Sequence, residues 1–154
     1  MKRWIETIII SVLMFAGQSA FAGWGNDAFR LSDTKSVSVK LSDYASDGCW
    51  TNLRETREYA EEKLRAKGAN MVPQFGVDDN HYQFDVSVDA FRTKTGCVAN
   101  IDLSLYTMAS VKNLKGELIG HFAVVAGVNN LFSGFDKMNN EVLNLVKEFI
   151  NDLK

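Results

Sequence analysis

The stretch His81–Arg92, HYQFDVSVDAFR, decides the fold. Tyr82, Phe84, Val86, Val88 and Ala90 fall on one parity, and Gln83, Asp85, Ser87 and Asp89 on the other. Alternation of period two marks a β-strand with one apolar and one polar face. A sheet built on such a strand must cover its apolar side.

The cover lies on either side in the chain. Upstream, Trp50–Gly68 (WTNLRETREYAEEKLRAKG) places Trp50, Leu53, Ala60 and Leu64 close to helical spacing, with charges between them. It ends on Gly68, where a helix terminus favours a left-handed residue. Downstream, Lys137–Lys154 carries Met138, Val142, Leu145, Val146, Phe149 and Leu153 on one helical stripe, with Asp136 as the expected N-cap. Three more segments read as strands: Lys35–Leu41, Cys97–Ala109 and Glu117–Asn129. The order is β-α-β-β-β-α. The expected fold is α+β, a two-layer sandwich with a mixed four-stranded sheet and both helices on one face.

The two cysteines test this arrangement. If the strand over 35–41 delivers the chain to the top of the sheet, the helix over 50–68 starts there beside Cys49. A parallel strand over 81–92 then ends at the top, and the TKTG turn returns the chain at Cys97. Parity places Cys97 with Ile101 and Leu103 on the helix-covered face. The periodicity therefore predicts a Cys49–Cys97 disulfide at one end of the sandwich. No C-x-x-C redox motif and no zinc-ligand spacing competes with that reading.

The compartment agrees. The chain begins MKRWIETIIISVLMFAGQSAFAG, with a basic start, an apolar run over Ile8–Ala16 and the small residues Ala20 and Ala22. That is the layout of a cleaved export signal over residues 1–22, followed by a single domain over 23–154. The apolar run is shorter than the ~20 residues a membrane span requires, so no transmembrane anchor is expected after cleavage. The expected location is the periplasm or the exterior. Cleavage removes Lys2, Arg3 and Glu6 and moves the net charge from −2 to −3. An acidic balance without a basic face argues against nucleic-acid binding.

No G-x-S-x-G, H-E-x-x-H, Walker-type or G-x-G-x-x-G pattern occurs. Catalysis and a cofactor are therefore not expected. With four-residue turns over Thr93–Gly96 and Asn113–Gly116, His81, Met108 and His121 would fall in one row on the outer face. That row is the one candidate metal set, and strand spacing speaks against it. Asp85, Asp89, Asn100 and Asp102 would also meet on that face. Phe91, Val98, Tyr106, Met108, Ile119 and Val125 are expected there too, an apolar content suited to a partner, to self-association or to cover by the lead-in over 23–34.

The run EEKLRAKGANMV…DDNHYQFDVSVDAF resembles the core of small envelope domains such as the LPS-assembly lipoprotein LptE and the TolB N-terminal domain. They share the helix ending in glycine and the strand opening on an aspartate–aromatic step. The resemblance is architectural and implies binding or assembly rather than catalysis; this chain has no lipobox cysteine. The expected function is a non-enzymatic binding or assembly domain acting through its open sheet face. The alternative is an inhibitor or immunity-type protein that blocks a secreted enzyme with a projecting loop, GVDDNH (76–81) or NNLFSGFD (129–136).

Overall fold

A computed structural model describes residues 31, 34, 36–76 and 81–153. The candidate export signal and most of the lead-in lie outside the described residues. The elements are β1 (Ser36–Ala45), α1 (Leu53–Ala66), β2 (His81–Thr93), β3 (Gly96–Lys112), β4 (Leu118–Phe135) and α2 (Asn139–Asp152). They form one sheet of order β1-β2-β3-β4, in which β1 and β2 are parallel and the other pairs antiparallel. An isolated parallel bridge between Val37 and Met71 adds a one-residue strand outside β1.

The alternating residues of β2 set the core. Phe84, Val86 and Val88 are fully buried, and so are their partners Leu105, Leu103 and Ile101 on β3. Both helices lie over this face. Val142, Val146, Phe149 and Ile150 of α2 and Ala60 and Leu64 of α1 close it. Phe149 stacks on Phe84, with ring centroids 5.4 Å apart and planes 19° apart.

The two helices run from the same end of the sheet. The disulfide Cys49–Cys97 ties the chain just before α1 to the start of β3, with Cα atoms 5.8 Å apart and both residues fully buried. Met138, at the start of α2, donates its amide to the Cys49 carbonyl at 2.7 Å. Asn139 exchanges two hydrogen bonds with Thr51, and Arg92 bonds Asp47 and Asp136. The sheet and both helices are therefore tied together at that end.

The opposite end is held by helix termini. Gly68 adopts φ +93°, its amide donates to Arg65 O, and Ala69 donates to Leu64 O. These are the two bonds of a Schellman terminus. Lys67 follows α1 and reaches the end of α2, donating to the carbonyls of Asn151 (2.7 Å) and Leu153 (2.6 Å). A cation there also faces the negative end of the helix dipole.

Three boundaries differ from the sequence expectation. β1 continues through Ser42–Ala45, where the sequence suggests a loop, because Asp43 and Ala45 still pair with Val88 and Ala90. β4 continues to Phe135, so the expected loop before α2 is built into the sheet. Asp136 does not cap α2; its carboxylate pairs with Arg92, and Met138 precedes the first turn.

Candidate functional site

Neither α1 nor α2 covers the outer face of the sheet. Its rows follow from the register. Lys40, Asp85, Ser104 and Gly127 form one; Ser42, Ser87, Asp102 and Asn129 the next; Tyr44, Asp89, Asn100 and Leu131 a third. The middle of the face is polar. Asp85 holds Lys40 at 3.7 Å and accepts a hydrogen bond from Ser42 at 3.1 Å. Asp102 lies 3.4 Å from the Asn129 amide. The expected acidic group over Asp85, Asp89, Asn100 and Asp102 is thus assembled on this side.

Apolar groups flank that strip. Toward the disulfide end, Phe91 neighbours Val98, and Leu131 pairs with Asn100 and is 75% exposed. Toward the other end, Tyr106 packs edge-on against Phe122 at 5.3 Å. Phe75, from the segment after the Met71 bridge, approaches both rings at 5.9 and 6.2 Å. Burial, and then the Asp85 charge, push the Tyr106 hydroxyl above its ordinary pKa.

From this aromatic cluster a hairpin arm extends. β2 ends its pairing with β3 at Tyr82–Thr107, while β3 and β4 stay paired to Lys112–Leu118. The five residues Met108–Lys112 therefore leave the four-stranded body, a reach of about 17 Å at ~3.4 Å per residue. Leu114 at the tip, and Leu118, Phe122 and Val124 along β4, are all exposed.

The register explains where the sequence-predicted residues fall. The far turn holds three residues, Leu114, Lys115 and Gly116, between the paired Asn113 and Glu117. Asn113 Oδ1 accepts from the amides of Lys115 and Glu117, and Gly116 takes φ +81°, a conformation glycine adopts without steric cost. The loop is one residue longer than a four-residue turn, so β4 slips by one. Met108 then faces Phe122, and His121 pairs with Ala109. The expected row of His81, Met108 and His121 does not form. Among the described residues no group of three or more His, Cys, Asp or Glu side chains could hold a metal ion.

The same slip moves the apolar set. Phe91, Val98, Tyr106 and Met108 are on the outer face. Ile119 instead pairs with Val111 and belongs to the opposite parity, and Val125 sits unpaired in a bulge between Val124 and Ala126. Leu118, Phe122, Val124 and Leu131 take their place on the outer face.

No family model matches the chain, and no curated protein matches it. Among solved structures, a point variant of the PelC dodecamer from Paraburkholderia phytofirmans is 17% identical; the alignment covers 81% of this chain and 89% of that one, with a TM-score of 0.44. A second PelC crystal form is also 17% identical, covering 80% and 85%, with a TM-score of 0.43. A minor lipoprotein from Acinetobacter baumannii is 11% identical over 76% and 90%, with a TM-score of 0.30.

Proposed function

We propose that the protein is a non-enzymatic binding or assembly domain, exported to the periplasm or beyond, that engages a protein partner or a second copy through its outer sheet face and hairpin arm. The arm carries this reading. An isolated two-stranded ribbon is at best marginally stable in water. This one exposes Leu118 and Phe122 on one face and continues into the Phe75–Tyr106–Phe122 cluster and the exposed Val124 beside it. Contiguous exposed apolar surface of this kind marks an association site. The buried disulfide supports an oxidising compartment. The resemblance to envelope domains such as LptE and the TolB N-terminal domain supports a role in binding rather than catalysis.

The inhibitor-type reading has less support. It needs a loop free to enter a partner's cleft. Of its two candidates, Asn129–Asp136 is built into β4 as far as Phe135, with Asp136 held by Arg92. Most of the other lies outside the described residues.

Site-directed photo-crosslinking in producing cells tests the proposal. A photoreactive residue at Phe122 or Leu131 is expected to give discrete adducts; one at Lys147, on the exposed side of α2, is not. An adduct of twice the chain mass identifies a second copy. Absence of adducts at Phe122, or equal adducts at Lys147, refutes it.

A further inference from the structure

A second site lies at the other edge of the sheet. Asn70–Val72 pairs with β1 only at Val37, whose amide donates to Asn70 O and whose carbonyl accepts from Val72. Pro73 then turns the chain away, and Pro73–Phe75 stands off from Ser38–Lys40. The gap is a cavity of about 350 Å³ with an open mouth. Arg57 enters it from α1, with Nη1 donating to Val39 O at 2.6 Å.

Two observations distinguish this gap from an ordinary surface groove. Ser38 and Gln83 line it side by side as register partners and are 3% and 7% exposed. The Ser38 hydroxyl and Gln83 Nε2 find no hydrogen-bond partner among the described residues. Buried polar groups are nearly always partnered, so an orphaned pair on two residues that line one cavity points to a ligand that their side chains turn to meet. The second observation is charge. Lys40 and Arg57 line the cavity, and among the described residues no carboxylate does.

We propose that this cavity binds a small polar ligand through a carboxylate. Each cation already has a carboxylate beside it, Asp85 3.7 Å from Lys40 and Glu61 4.0 Å from Arg57, so the site suits a ligand of no more than one negative charge, held in competition with them. With Nη1 committed to Val39 O, the remaining guanidinium donors can grip a carboxylate from the side. Ser38, Gln74 and Gln83 meet hydroxyl or amide groups on the ligand body, and Phe75 walls one side. The volume is at the small end of ligand pockets, the size of one sugar or one amino acid. The cavity shares Phe75 with the aromatic cluster at the base of the hairpin arm, but its polar lining comes mostly from β1, β2 and α1, and the proposal does not rest on the association reading.

Titration of the mature protein, followed by amide NMR shifts, tests this. Glucuronate and N-acetylalanine are the carboxylate probes; glucose and inorganic phosphate are the controls. Saturable shifts around Ser38, Arg57 and Gln83 are expected with at least one carboxylate and not with glucose; which carboxylate binds tells whether the body is hydroxyl- or amide-bearing. Gln83→Leu and Ser38→Ala remove atoms that bond nothing in the free protein, so folding is retained, while each weakens binding about tenfold. No saturable shift up to tens of millimolar, binding of phosphate in preference to both carboxylates, or binding that both variants leave unchanged overturns the proposal.

Discussion

Replacing Cys49 and Cys97 together by alanine probes the topology as well as the bond. The bridge closes a loop of sequence separation 48. In the chain-entropy account its removal frees the unfolded ensemble by about 4 kcal/mol. Domains of this size are stable by only about 5–15 kcal/mol in total, so a large fraction of the stability is at stake. The expected fall in melting temperature is about 10–15 °C. The folded state is expected to persist, because other bonds at the same end join the segment before α1 to α2 and to β2: Met138 to Cys49 O, Thr51 to Asn139, and Arg92 to Asp47 and Asp136. Urea denaturation followed by circular dichroism checks both parts. The variant should show a lower midpoint together with a steeper dependence on urea, since an unlinked unfolded chain exposes more surface. A loss below about 1 kcal/mol with an unchanged slope would refute the entropic reasoning. Collapse of the fold would refute the claim that the remaining bonds hold that end together.

Two further outcomes follow from other parts of the molecule. Lys67→Met removes a cation from the last carbonyls of α2 and is expected to cost about 1 kcal/mol; hydrogen exchange should quicken at residues 149–153 while the sheet stays protected, and uniform acceleration would contradict the local role. Burial raises the Tyr82 hydroxyl above its ordinary value, and burial together with Asp85 raises that of Tyr106. The folded state therefore holds their protons more tightly, and stability should be full below about pH 10 and fall as pH rises beyond it. Tyr106→Phe should flatten that fall when denaturation midpoints are compared across the alkaline range; an unchanged slope excludes Tyr106 as a contributor.

Periodicity within an element is a local property, and it is legible wherever one face is buried. The parity of His81–Arg92 leads to Phe84, Val86 and Val88 in the core, and the helical stripe of Lys137–Lys154 leads to Val142, Val146 and Phe149 beside them. The disulfide is legible for the same reason, since it needs only strand direction and the parity of Cys97. The phase between strands is another matter. It depends on how many residues each turn and bulge contains, and a single residue there shifts every later pairing. The NLKGE turn holds one residue more than the shortest reading allows, which turns Leu118, Phe122 and Val124 to the outer face and His121 away from the Met108 row. The bulge at Val125 then inserts a second residue. The two insertions cancel in facing and add in register, so Val128 lies on the helix side opposite Leu103, and Leu105 pairs with Ala126, two places beyond what a four-residue turn would give. The candidate site suffers more than the core because it is made of pairings between strands. Its apolar content could be read from composition. Its members on β4 depend on the left-handed conformation of Gly116, which permits the longer turn. The cavity beside β1 is hidden for a related reason: Ser38 and Gln83 are neighbours through a parallel pairing that spans a helix, and nothing in either segment alone announces that both residues line one cavity.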